Sequence, residues 1–274
     1  GYQKKAKLFS ELRLDLDAGH VYGLLGRNGA GKSSLLRLMC GLLFPDSGNI
    51  SVAGQQPGKR KPEFLQQLFF IPEEIYLPAV SIRRYETTYT PFYPDYNPAQ
   101  FRYYLKEFNV DDGARLPDLS FGQRKKVLIA FGLACNTHIL IMDDPTNGLD
   151  IPSKSKFKKM LASVATEDQL VLVSTHQVQD LENLIDSLII LEDSQILLHH
   201  RLDEITRKLH FGNLTTTEGD ERVLYAEQGI QDYSVVMENA TQQESKVHLE
   251  QLFQATLEQP ERIQQLLGQQ KQKS

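Results

Sequence analysis

A layered α/β fold built around a largely parallel sheet is predicted by three observations. Apolar runs of strand length alternate with segments of helical periodicity along most of the chain. Residues 139–142 (Ile-Leu-Ile-Met) are continuously apolar and end in Asp143-Asp144-Pro145, as a strand buried on both faces would. A glycine-rich loop separates the apolar residues Val21, Tyr22, Leu24 and Leu25 from the periodic Leu35, Leu36, Leu38 and Met39, which reads as strand, loop, helix. At 274 residues the chain has room for one domain and a smaller second one.

Residues 7–17 alternate Leu8, Leu12, Leu14 and Leu16 with Glu11, Arg13, Asp15 and Asp17, which predicts a half-buried strand closed by a turn at Asp17-Ala18-Gly19. Tyr2, ahead of it, reads either as an aromatic ring placed to stack on a nucleotide base or as a frayed terminal residue. The glycine loop follows: Gly26, Arg27, Asn28, Gly29, Ala30, Gly31, Lys32, Ser33, Ser34. This is the phosphate-binding P-loop spacing. Its glycines let backbone N–H groups point inward toward an anion, Lys32 reaches the outer phosphates, and the Ser33 hydroxyl is a magnesium ligand.

Beyond the P-loop helix, residues 49–52 read as a short strand, 55–62 as a polar loop and 68–71 as a buried strand running into Pro72-Glu73-Glu74. Ser81 caps a helix through Tyr89, and Asn97-Pro98 opens another to about Phe108. Ten aromatic residues crowd the stretch from Tyr76 to Phe108, either as the core of a helical lobe or, in part, as an exposed docking surface. Leu119-Ser120-Phe121-Gly122-Gln123 begins a helix with Val127, Leu128, Phe131 and Leu133 on its apolar face. After the 139–142 strand come a helix to Val164, a strand over 170–173 ending in Ser174-Thr175-His176, and short strands over 188–191 and 195–198. Past Arg201 the pattern predicts a helix through Leu209, a loop over 212–220, strands over 223–226 and 234–237, and helices over 246–257 and 261–267.

The net charge of −5 excludes a nucleic-acid binder that relies on a broad basic surface. No apolar run approaches the ~20 residues of a membrane span and no charged-then-apolar leader opens the chain, so a soluble, cytoplasmic protein is expected. Cys40 and Cys135 sit in apolar helical patterns and read as buried thiols, not as metal ligands or a disulfide.

A buried strand ending in aspartate far downstream of a P-loop is the second half of a nucleotide site, with Asp143 holding magnesium. Together with Leu119 to Gln123, Pro145-Thr146-Asn147-Gly148-Leu149-Asp150 and Ser174-Thr175-His176 in that order, residues 1–205 resemble the ATP-binding cassette (ABC) ATPases, and look like the ATP-binding subunit of a bacterial ABC-2-type exporter. The resemblance implies a P-loop NTPase cassette: a mixed sheet core, an antiparallel β subdomain and a helical subdomain at about 74–120. Residues 206–274 are expected to form a small accessory α+β domain.

As implied by that resemblance, two copies dimerise head to tail around two ATP molecules, with Ser120, Gly122 and Gln123 of one copy reaching the nucleotide held by the other's P-loop. Asp150 lies at the seam, and His176 reaches the γ-phosphate and holds the attacking water. Two positions depart from the family pattern. The glutamate that follows the strand-end aspartate is here Asp144, and the glutamine expected after Pro72 is Glu73, a further magnesium ligand. Both surround the attacking water, so slow hydrolysis is expected. A polytopic membrane subunit is expected to dock near 73–96, with Tyr76, Tyr85 and Tyr89 as anchors and Phe101, Tyr104 and Phe108 as lobe core. The protein would then work at the inner face of the plasma membrane, without nucleic acid. The alternatives are a hydrolysis-impaired regulator of the family or a soluble, non-transport member.

Overall fold

The structure is a computed structural model and describes residues 8–268. In chain order its elements are β1 (His20–Leu25), α1 (Lys32–Met39), α2 (Pro62–Leu65), β2 (Leu68–Ile71), α3 (Ile82–Tyr89), α4 (Pro98–Glu107), α5 (Phe121–Ala134), β3 (Ile139–Asp143), α6 (Ile151–Val164), β4 (Leu170–Thr175), β5 (Ser187–Glu192), β6 (Gln195–Arg201), α7 (Leu202–Lys208), β7 (Leu209–Leu214), β8 (Val223–Gln228), β9 (Tyr233–Glu238), α8 (Leu249–Glu258) and α9 (Pro260–Leu267). They divide into two compact units. One comprises Leu16–Val21 and Lys32–Thr175; the other comprises the described residues up to Asp15, Tyr22–Gly31 and those from His176 onward.

In the first unit β2, β3 and β4 run parallel, with Ile71 beside Met142 and Asp143 beside Ser174. Every residue of β3 is buried, which explains its unbroken apolar sequence. Helix α5 packs beside β2; a Cβ at Gly132 would lie 2.7 Å from the Phe69 ring, so glycine there admits the sheet's aromatic layer. Helices α3 and α4 start where the sequence caps them. The Ser81 side chain accepts from Arg84 N–H, and Asn97 Oδ1 accepts from the N–H groups of Ala99 and Gln100.

The helical lobe closes on Phe131 of α5. The rings of Tyr85, Tyr93, Tyr96 and Phe101 stand 5.1 to 6.1 Å from it. Phe101, Tyr104 and Phe108 are buried, as their helical spacing predicts. Tyr85 corrects one expectation. It is only 5% exposed, and burial raises its phenol pKa, so it belongs to this core and not to a docking surface. Tyr76 and Tyr89 are exposed.

In the second unit β1 pairs parallel with β5, and β5 pairs antiparallel with β6. A separate antiparallel sheet, ordered β7-β9-β8, is backed by α8, whose Leu249, Leu252 and Ala255 are buried.

Three local expectations are revised. Residues 8–17 form no strand: Leu12, Leu14 and Leu16 are half-buried and Arg13, Asp15 and Asp17 exposed as the alternation requires, but Glu11 takes a left-handed φ of 57° that interrupts the extended run. Over 49–52 only the single bridge Val52 to Gln55 forms. Helix α7 stops at Lys208, and Leu209–Leu214 is a strand, because β9 supplies a ladder in which Phe211 pairs with Val236. No helix among the described residues is long and apolar enough to cross a membrane.

Candidate nucleotide-binding site

The P-loop leaves β1 at Gly26. A Cβ there would lie 2.2 Å from the Leu191 carbonyl of β5, so only glycine lets the chain turn away at this point. Gly31, at φ 106°, ends the loop beneath the ring of Phe9, whose nearest atoms lie 2.9 Å from where a Cβ would sit. Glu192 anchors the loop's outer limb by accepting from Arg27 N–H at 3.2 Å, with the Arg27 guanidinium 3.6 Å away. Gly26, Arg27 and Asn28 line a cleft of about 170 Å³ with Leu25, His176, Val178 and Phe253.

Lys32, Ser33 and Ser34 are the first three residues of α1, where helix N–H groups have no intrahelical acceptor and attract an anion. Lys32 is buried and the two serines are half-buried.

In the same unit as α1, β3 ends in the two carboxylates. Asp143 is 1% exposed; its Oδ1 accepts from Ser174 Oγ at 2.6 Å, while Oδ2 is buried with no hydrogen-bond partner. An orphaned, buried carboxylate oxygen is costly unless a cation or donor meets it. That oxygen and the Ser33 hydroxyl are hard donors of the kind magnesium prefers, and α1 packs against β3, so the residues present fit the ion.

Asp144 takes a left-handed φ of 43°. Its backbone is held at both ends: N–H donates to the Ser174 carbonyl at 3.0 Å, and the carbonyl accepts from Lys125 Nζ at 2.7 Å. Lys125 also donates to the Glu73 carbonyl at 3.3 Å. Desolvation lowers the Lys125 pKa, partly opposed by the neighbouring Asp144, Glu73 and Asp143. Asn147 Nδ2 donates to Glu73 Oε1 at 3.4 Å.

Ser120 and Gln123 form a reciprocal capping box at the start of α5. Ser120 Oγ accepts from Gln123 N–H at 3.2 Å and Gln123 Oε1 accepts from Ser120 N–H at 3.0 Å. Gly122 lies against Gly148, whose carbonyl would be 2.8 Å from a Cβ. Asp150 caps α6 through Ser153 N–H and pairs with Lys126 at 2.9 Å; these hydrogen bonds hold its carboxyl far below the usual range.

Of the residues singled out from sequence, Gly26, Arg27, Asn28 and His176 thus share one cleft, and Asp143, Asp144 and Glu73 are tied through Ser174 and Lys125. Tyr2 lies outside the described residues. Sequence reasoning missed Lys125, Asn147 and the role of Ser174. The available signal for Lys125 was a lysine three and four positions before Leu128 and Ile129, on the buried face of α5.

A P-loop opening a helix, with a buried strand-end aspartate and its carboxylate neighbour, defines a nucleoside-triphosphate-binding protein of the P-loop class. Residues 9–147 match the ABC transporter family profile. The ABC transporter ATP-binding protein NatA of Bacillus subtilis (strain 168) is 30% identical over 210 residues, spanning 74% of this chain and 85% of NatA. The SkfA peptide export ATP-binding protein SkfE of the same organism is 30% identical over 192 residues, spanning 68% of this chain and 80% of SkfE. A solved ATP binding subunit of an ABC transporter shares the fold at a TM-score of 0.67 and 24% identity, covering 76% of this chain and 89% of that one. The chain belongs to the ABC transporter family, as one of its ATP-binding proteins.

Proposed function

We propose that this chain binds ATP with magnesium, hydrolyses it slowly, and powers transport through separately encoded membrane subunits. The observation that carries the reading is Asp143: a carboxylate buried at a strand end, fixed by Ser174 through one oxygen and open at the other. When bound, magnesium neutralises charge on the outer phosphates, and Ser33, Asp143 and Glu73 are the residues that would hold it. Lys32 and the N–H groups of the loop and of α1 bind the phosphates. Asp144 positions the attacking water and accepts its proton, and His176 orients the γ-phosphate and that water. Tyr2 is assigned to the adenine. Relatives named as transporter and peptide-export ATP-binding proteins support the coupling role.

Ser120, Gly122 and Gln123 complete the nucleotide site of a second copy in a head-to-tail dimer, with Asp150 at the seam. The capping box supports this assignment, since it holds the α5 N-terminus intact and its remaining N–H groups available to a γ-phosphate. The surface near 73–96, with exposed Tyr76, Tyr89 and Phe92, docks the membrane subunit at the inner face of the plasma membrane. Residues 206–274 form an accessory domain to this cassette.

A second reading, a hydrolysis-impaired regulator, is favoured by Asp144 and Glu73 standing where the family carries glutamate and glutamine. Size-exclusion chromatography with MgATP, alongside a phosphate-release assay, tests both. Dimer formation that is lost in Lys32→Ala is expected. Equal nucleotide affinity and monomer fraction in parent and variant would overturn the P-loop assignment, and dimerisation without phosphate release would favour the regulator.

A further inference from the structure

Helix α5 is apolar along its buried face except at Lys125, which is 0% exposed. A charge is placed in such surroundings only where polar partners compensate its desolvation, so the identity of those partners is informative. Both are main-chain carbonyls, and both belong to the residues that depart from the family pattern: Asp144 at 2.7 Å and Glu73 at 3.3 Å. Asp144 follows β3, and Glu73 lies two residues beyond β2, the strand paired beside it. The same ammonium stands 5.9 Å from the ring centroid of Phe121, the first residue of α5, within cation–π range.

We propose that Lys125 is a positioning residue for hydrolysis, a single buried cation that holds the main chains of Glu73 and Asp144 in register with the N-terminus of α5. The inference rests on the ATPase reading above. The backbone of Asp144 is left-handed, a conformation uncommon outside glycine that aspartate tolerates and that its hydrogen-bond partners here hold in place. Ser174 imposes it from the N–H side and Lys125 from the carbonyl side, and together they set where the Asp144 carboxylate points. The Glu73 carbonyl is drawn to the same Nζ, so a shift of the segment after β2 pulls on the geometry around Asp144. Lys125 therefore acts through these two residues and touches no reacting atom itself.

The contrast is between Lys125→Met, which keeps length and apolar stem but removes charge and donors, and Lys125→Arg, which keeps both. In the full chain, Lys125→Met is expected to lower kcat by about 10- to 100-fold, the range a misplaced catalytic group costs, while the Kd for a non-hydrolysable ATP analogue changes by less than about 3-fold. Lys125→Arg is expected to restore most of that loss. Backbone hydrogen exchange over residues 73–76 and 144–147 should quicken in Lys125→Met and not in Lys125→Arg. A kcat within about 2-fold of the parent in Lys125→Met, or kcat and analogue affinity falling together, would overturn the proposal. Should Lys125→Met not fold, Lys125→Gln carries the same comparison through the exchange readout: unchanged exchange over both segments overturns the proposal. A parent without phosphate release fails the ATPase reading separately, and exchange over the two segments still decides whether Lys125 holds them.

Discussion

Ser174 Oγ donates to Asp143 Oδ1 at 2.6 Å, across paired positions of β4 and β3, and the Ser174 carbonyl accepts from Asp144 N–H at 3.0 Å. One serine thus sets both carboxylates at the end of β3. It fixes the side chain of the first and the backbone of the second, and it leaves Asp143 Oδ2 as the open oxygen.

Ser174→Ala removes that donor and leaves a buried carboxylate without a protein partner. A loss of about 1 to 3 kcal/mol is expected, the cost of an unsatisfied buried group. In a chain of 274 residues that amounts to a melting temperature lower by roughly 2–5 °C. Differential scanning calorimetry without nucleotide measures it, and an unchanged melting temperature would show that the hydrogen bond contributes nothing to the fold.

Asp144→Glu lengthens the carboxylate by one methylene toward the attacking water. Turnover is expected to rise ~3- to 30-fold if positioning alone limits the rate, since each 1.36 kcal/mol recovered in the transition state is about tenfold. Steady-state phosphate release reads it. An unchanged or lower rate would mean that the left-handed backbone at Asp144 has adapted the site to aspartate, and would move attention to Glu73 and His176.

The tyrosines expected to dock a partner separate into two classes. Tyr85→Ser deletes a ring packed 4.6 Å from Tyr89 and 5.1 Å from Phe131, and is expected to cost about 3 to 5 kcal/mol, as aromatic truncations in cores do. Tyr76→Ser, at a side chain 88% exposed, is expected to leave stability within about 0.5 kcal/mol while weakening coupling to a membrane subunit. Denaturant unfolding of both variants, with transport-coupled ATPase activity of the membrane complex, distinguishes them. A Tyr76→Ser complex that couples as well as the parent would remove this surface from consideration.

Much of the site was legible because its signals are local. The P-loop spacing needs only glycines where the backbone turns sharply and a helix start directly after them, and Gly26, Gly31 and Lys32 occupy those places. Asn97 and Ser81 announced their helices for the same reason, since a cap bonds within the next few residues. The unbroken apolar run at 139–142 revealed a fully buried strand. Residues 8–17 misled because alternation describes which side chains are covered and not whether a neighbouring strand accepts the backbone. Gly212 read as a loop until β9 supplied a partner for β7.

By itself the sequence determined the P-loop pattern, the alternation of the main strands and helices from β2 to β6, the strand-end aspartates and the family, because periodicity, capping and glycine geometry are properties of neighbours in the chain. Only the tertiary structure decided that Tyr85 is core, that Ser174 serves both carboxylates, and that Lys125 joins Glu73 to Asp144. These depend on segments 19 to 52 residues apart meeting in space. A lysine, a serine or a tyrosine carries no mark of whether its polar atom will meet water or a carbonyl until the packing of distant elements has removed the water.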